Sequence, residues 1–231
     1  MPPPLLIVTA WNLQPDPRNV NLALTPPQQE AFAAVLDWRG LFEADALLLA
    51  TPADVATLLT AELLHRYPMS WGPVLVPGPA GLVRVGRSAH NRPSPDSAAD
   101  HAYVARAISW LQSERDWVYE GLRRRNLHVL RAPDGVPYYV CGRARGYSSR
   151  SLWRLIGQYR LELSQAQGRL VIFTPDLRRT RCVEAANSWC VEVVRMQIIP
   201  PPPPPPAPKI APLPYAGRPR RVRPTRGHEP G

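Results

Sequence analysis

The sequence predicts a mixed fold. A mainly helical N-terminal segment with one short hairpin is followed by a three-layer α/β segment around a central mixed sheet, then by a disordered Pro/Arg-rich tail. Three observations lead there. Helix caps and apolar stripes at helical spacing dominate the first seventy or so residues. Between residues 101 and 199 β-prone runs alternate with helical ones. Seven consecutive prolines, Pro200 to Pro206, then introduce a stretch too polar and too proline-rich to bury a core. The implied divisions are an N-terminal extension (1–21), a helical segment with hairpin (22–88), a linker (89–100), the α/β segment (101–199) and the tail (200–231).

Thr25-Pro26-Pro27-Gln28 reads as an N-cap with proline in the first helical turn. Phe32, Val35, Leu36 and Trp38 form the apolar stripe of that helix, which Gly40 ends. Phe42 to Leu49 suits a second short helix. Thr51-Pro52-Ala53-Asp54 caps a third, whose stripe of Val55, Leu58, Leu59 and Leu63 extends it to about Arg66. Between Trp71 and Val85, two β-prone runs flank a Pro/Gly turn, a hairpin signal. Three helices followed by a hairpin is the order of a winged helix-turn-helix.

Residues 86–100 are polar and turn-rich and read as the linker with its approaches. A long helix is expected from His101 to about Arg125, with a break conceivable where Ser113-Glu114-Arg115-Asp116 resembles a fresh cap. Strands follow at 127–131 and 136–141, joined by the turn Pro133-Asp134-Gly135. An arginine-bearing loop at 142–147 precedes a helix whose buried side carries Leu152, Leu155, Ile156, Tyr159 and Leu163. A strand at 169–174, a helix from Asp176 to about Ser188 and a last strand at 190–196 complete the segment.

Charge narrows the functional classes. The chain carries a net +10, spread unevenly: residues 1–100 hold −3, residues 101–199 hold +8 and the tail +5. Lys209, in the tail, is its single lysine. Arginine is permanently protonated and grips phosphate with a planar fork, whereas lysine can be tuned into a base or Schiff-base nucleophile. Catalytic-lysine chemistry is therefore excluded from residues 1–208, and phosphate binding stays open. Cys141, Cys182 and Cys190 are an odd set without metal-ligand spacing, which suggests reduced thiols in a cytoplasmic, soluble protein. No apolar run approaches the roughly 20 residues that cross a bilayer, and the first residues lack a secretory leader.

The ordered run of His101, Trp110-Leu111-Gln112-Ser113-Glu114 and Arg131-Ala132-Pro133-Asp134-Gly135-Val136 resembles the replication-relaxation family of plasmid and mobile-element proteins. Gln158-Tyr159-Arg160 in a helix and the strand Leu170-Val171-Ile172-Phe173 follow in that family's order. The resemblance covers about residues 22–195 and implies a winged helix followed by a domain similar to PD-(D/E)xK nucleases. Such nucleases hold a divalent cation with oxygen ligands from a Pro-Asp turn and a later acidic residue, assisted by a lysine. Here the turn keeps Asp134, but the positions for acid and lysine read Val140-Cys141-Gly142-Arg143-Ala144-Arg145. The expectation is a non-cleaving domain, with no cofactor and no metal.

Asp134 has two readings, a tight Asp-Gly turn or a vestigial ligand, and the first is favoured. Arg143, Arg145 and Arg150 likewise form either a solvated loop or a phosphate clamp near the former catalytic groove, and the second is favoured. Arg154, Arg123, Arg124, Arg66, Arg220 and Arg221 are further candidates for nucleic-acid contact, although Arg123 and Arg124 equally suit a helix C-terminus. Tyr138, Tyr139 and Tyr147 offer base stacking or, as strand residues more often do, core packing. The serines 148, 149 and 151 lack a nucleophile frame, and His65, His90, His101, His128 and His228 lack zinc spacing. The expected function is that of a non-enzymatic accessory protein binding DNA, expected as duplex, in plasmid replication or mobilisation. Two alternatives are an adaptor that docks proteins through its acidic N-terminal segment and polyproline tail, and a metal-dependent nuclease.

Overall fold

A computed structural model describes residues 23–124, 127–178 and 180–197. The expectations for the extension, the polyproline tail, Arg220 and Arg221 lie outside these residues. Within them the fold is mixed α/β, with a five-stranded mixed sheet and a smaller three-stranded one.

The chain begins with α1 (Pro26–Trp38), β1 (Leu41–Phe42), α2 (Glu43–Ala46) and α3 (Pro52–Thr60). Both longer helices start where proline follows a threonine cap, since proline's fixed φ suits the first turn and its missing N–H costs nothing there. At α3 the cap is reciprocal. Asp54 N–H donates to Thr51 Oγ1 at 3.2 Å, and Thr51 N–H donates to Asp54 Oδ2 at 3.1 Å. Gln28 Nε2 donates to Asp54 Oδ1 at 3.0 Å and ties α1 to this cap. The third helix is shorter than the sequence predicts. It stops at Thr60, Glu62 takes a left-handed φ of 56°, and Leu63 N–H closes back on Leu58 O at 3.0 Å. The chain then re-enters as β2 (Leu64–Tyr67), so the hairpin is β2 with β3 (Val74–Pro77).

Its expected second arm is instead a helix, α4 (Pro79–Arg84). Gly78-Pro79 starts a helix by the same proline rule that governs α1 and α3. The site accepts only glycine beneath it: a Cβ on Gly81 would lie 2.2 Å from Leu63 O. The three-stranded antiparallel sheet has the order β1-β3-β2. The second predicted helix is also reduced, because Leu41 and Phe42 pair with Leu75 and Val74 before α2 begins.

The stretch drawn as a linker is helical from Pro95. Helix α5 (Pro95–Arg115) opens at Ser94-Pro95-Asp96, a cap signal that the surrounding polar residues obscured. It ends at Arg115, not Arg125, with Asp116 left-handed at φ 52°. After Trp117, seven residues form β4 (Val118–Arg124), bulged around Gly121. Arg123 and Arg124 therefore stand on an edge strand, not at a helix end.

β5 (Leu127–Arg131), β6 (Pro137–Gly142), α6 (Ser149–Ala166), β7 (Arg169–Thr174), α7 (Arg181–Ala186) and β8 (Val191–Arg195) complete the fold. α7 is shorter than predicted because residues 174–178 are taken up by a turn closed on Thr174 and Asp176 side chains. The large sheet runs β4-β5-β6-β7-β8; its first two pairings are antiparallel and its last two parallel. Alternation along the inner strands produces the layers. Val140, Val171 and Phe173 face α5 and α1, while Tyr139, Cys141, Leu170 and Ile172 face α6 and α7.

One hydrophobic cluster runs from Leu24 and Phe32 through Tyr103 and Ile108 to Val171 and Phe173, so both predicted segments contribute to a single core. The seam is close. A Cβ on Gly40 would sit 2.5 Å from Ala98 O of α5. Arg106 of α5 grips Asp45 of α2 with two bonds of 2.8 and 3.1 Å, its guanidinium 4.2 Å from the centre of the Phe42 ring. Among the described residues no helix is long and apolar enough to cross a membrane.

Candidate nucleic-acid interface

Parallel pairing of β6 with β7 and the packing of α5 and α6 on opposite faces leave a concavity where β6 ends. Arg39, Ser97, His101, Arg124, Leu127, Gly142, Arg143 and Tyr147 line it with the α6 residues Ser151, Arg154, Leu155 and Gln158, around about 960 Å³. Four guanidinium groups reach it from four places: the turn after α1, strand β4, the loop after β6, and α6. Among the described residues that line it there is no carboxylate. All four arginines are exposed, while Leu127, His101 and Tyr147 beneath them are buried.

The loop carrying Arg143 is held from below. Ala144 N–H donates to Asp100 Oδ1 at 2.9 Å, and Gly146 N–H closes a turn on Arg143 O at 2.9 Å. Burial raises the Asp100 carboxyl above the ordinary range, opposed by this backbone bond and by Arg143. The Arg143 guanidinium lies 5.1 Å from the centre of the Tyr147 ring. Gly142 packs tightly at the turn into this loop, since a Cβ would approach Tyr103 to 3.0 Å and Phe173 to 3.2 Å. Tyr103 is itself fixed by donating to Met196 O at 2.6 Å.

His101 is desolvated, and with Arg39 nearby its pKa falls to about 4. It is neutral near pH 7 and adds no charge to the concavity. Behind it His128 is lowered to about 3, by burial first and then by His101. Its Nδ1 lies 3.0 Å from Tyr119 Oη, and its ring stacks on Trp38 at 5.1 Å. His128 Nε2 and Trp38 Nε1 are buried with no hydrogen-bond partner among the described residues. Cys141 is also a poor reactant, because burial raises its thiol to about 11.

The sequence-predicted arginines separate into groups. Arg124, Arg143 and Arg154 converge on the concavity. Arg145 pairs with Asp96 at 3.0 Å, both side chains about two-thirds exposed, which leaves the pair weak. Arg150 is exposed in the first turn of α6, beside but not within the lining. Arg123 pairs with Glu162 at 3.1 Å. Arg66 pairs with Glu43 and sits on β2, so it does not belong to the third helix.

Asp134 does not face Arg143. It lies in the β5–β6 turn, at the opposite end of β6, which spans roughly 17 Å at about 3.3 Å per residue. Its Oδ1 accepts Val136 N–H at 3.0 Å, the ordinary work of aspartate in a turn. Residues 141–143, within the stretch expected to carry the acid and lysine, do line the concavity. Among the described residues no group of three His, Cys, Asp or Glu side chains could hold a metal ion. Tyr139 and Tyr147 are buried, and Tyr138 packs 3.9 Å from Trp117, so these rings belong to the core.

Arg39 and Asp100 were not singled out from sequence. A cap signal at Ser94-Pro95-Asp96 places Asp100 and His101 in the first turns of α5, and that was the available clue. Arg39 had none beyond its place beside the helix-ending Gly40. No protein-family model matches the chain, and a search of curated proteins returns no relative.

Proposed function

We propose that this protein binds DNA without cutting it and grips backbone phosphates through the arginine-lined concavity. In the setting implied by the family resemblance, it acts as an accessory protein in the replication or mobilisation of a plasmid or related element. The observation that carries the reading is the convergence of Arg39, Arg124, Arg143 and Arg154, with no carboxylate among the described residues that line the concavity. Fixed cations brought together cost free energy through mutual repulsion unless an anion offsets it. Arginine's fork fits phosphate, and concave surroundings strengthen the attraction.

The order of elements from α1 to β3, and the sheet order β1-β3-β2, support a winged-helix reading of the first segment. Its third helix, α3, carries Asp54 and no basic residue, so phosphate grip is assigned to the second segment. The order α-β-β-β-α-β around a mixed sheet supports the nuclease-like reading. Asp134 alone in its turn, with arginine where acid and lysine belong, favours binding without cleavage.

The test compares Arg143→Glu/Arg154→Glu with Arg169→Glu/Arg181→Glu, an equal charge change on exposed residues elsewhere. Fluorescence anisotropy on the full chain at low salt should show the first variant losing affinity on the order of a hundredfold, as two charge-assisted contacts reverse sign. The second should lose less than tenfold. Equal losses would mean that overall charge, not this concavity, holds the DNA.

A further inference from the structure

Helix α6 has a second face that the core does not use. Its buried side carries Leu152, Ile156, Tyr159 and Leu163, and its groove side Ser151, Arg154, Leu155 and Gln158. The outer side carries Trp153, Gly157 and Leu161, at successive four-residue steps and therefore on one stripe. Trp153 is 48% exposed and Leu161 71%. Gly157 between them has open space where a Cβ would stand. Glycine in a helix interior is destabilising by roughly 1 kcal/mol relative to alanine, and neither packing nor a left-handed φ calls for it here.

The surroundings select the occupant. Arg150 and Arg154 stand between the stripe and the concavity, and Arg160 lies on the far side, all exposed. The nearest acid on the helix, Glu162, is already paired with Arg123. An exposed indole, a bare helix surface and flanking guanidinium groups together suit an unpaired strand. Its bases stack on aromatic rings while its phosphates follow the cations. A duplex hides its base faces and cannot use Trp153 in this way.

We infer that the protein takes single-stranded DNA, with phosphates on the rim of the concavity and the strand leaving over Gly157 to stack a base on Trp153. This rests on the phosphate-binding role proposed for the concavity and names the form of DNA it prefers. The strand crosses α6 at the one position in its central turns without a side chain, and the approach is close enough that any side chain there obstructs it.

The experiment measures binding of the intact chain to a fluorescent twelve-residue oligothymidylate and to a twelve-base-pair duplex at equal salt. The oligothymidylate should bind at least tenfold more tightly than the duplex. Trp153→Ala should weaken oligothymidylate binding about tenfold, equivalent to ~1.4 kcal/mol and within the range of one stacked base, while shifting duplex binding less than twofold. Gly157→Glu places a carboxylate in the proposed path, on a position with room for it, and should cost oligothymidylate binding more than tenfold. Circular dichroism and thermal melting establish that both variants are folded. If Arg143→Glu/Arg154→Glu abolishes binding but Trp153→Ala and Gly157→Glu leave the oligothymidylate unaffected, the concavity grips DNA and the single-strand path is wrong. If the arginine variant binds as the parent does, the phosphate role itself fails.

Discussion

At the scale of single residues, buried imidazoles set the response to acid. His101 and His128 are both depressed below the ordinary value of 6.5, to about 4 and about 3, chiefly by desolvation. Between these values and 6.5 the unfolded chain binds protons that the folded chain refuses, so stability is present above pH 6.5 and lost as pH falls. Each histidine contributes a slope of up to about 1.4 kcal/mol per pH unit in that window. Asp45 and Asp100 act oppositely: burial raises them above 3.8, so just above that value the folded chain holds the extra proton. Urea unfolding followed by tryptophan fluorescence at pH 7, 6 and 5 should show stability falling, with roughly half the slope remaining in His128→Phe. An unchanged slope in that variant would mean that His128 takes up its proton without unfolding. None of this was readable from spacing. The histidines are 27 positions apart in sequence, and only the fold buries both, with His128 stacked on Trp38 and close enough to His101 to feel its charge.

At the scale of elements, glycine separates contacts that are structural from those that are not. Gly40 lets the chain after α1 pass against α5, and its Cβ would meet a backbone oxygen that cannot retreat. Gly40→Ala should therefore destabilise by about 1–3 kcal/mol, as overpacking does. Gly157→Ala should stabilise by about 1 kcal/mol, since it adds helix propensity and touches nothing. Chemical denaturation of both variants checks the pair, and a stabilising Gly40→Ala would refute the seam. Proline and threonine caps made α1 and α3 legible, and continuous β-prone runs made β6 and β7 legible. The strand β4 was not, because Val118 and Leu122 also fit a helical stripe, and both stand on its exposed side, where they mark no buried strand face. Helix α4 was missed because Gly-Pro signals a turn and a helix start alike, and only the contact with residues 62–64 decides between them.

At the scale of the whole molecule, the functional surface is assembled across segments. Arg143 and Arg154 were legible as an arginine-rich loop and helix, but Arg39 joins them only because both segments share one core. Asp134 takes the turn reading: its carboxylate closes the β5–β6 turn, at the far end of β6 from Arg143. The pair Arg106–Asp45 adds a polar tie to the seam that holds the first segment, and Arg39 with it, against the second.

The most direct measurement of that surface is the salt dependence of DNA binding by the full chain, for the parent and for Arg39→Gln/Arg124→Gln/Arg143→Gln/Arg154→Gln. Each phosphate contact releases counterions, so log K falls with log salt by about 0.7 per contact on a single strand. The account predicts steep dependence for the parent and a slope shallower by about 3 for the variant. Identical slopes would show that these four arginines do not meet phosphate, and would contradict it.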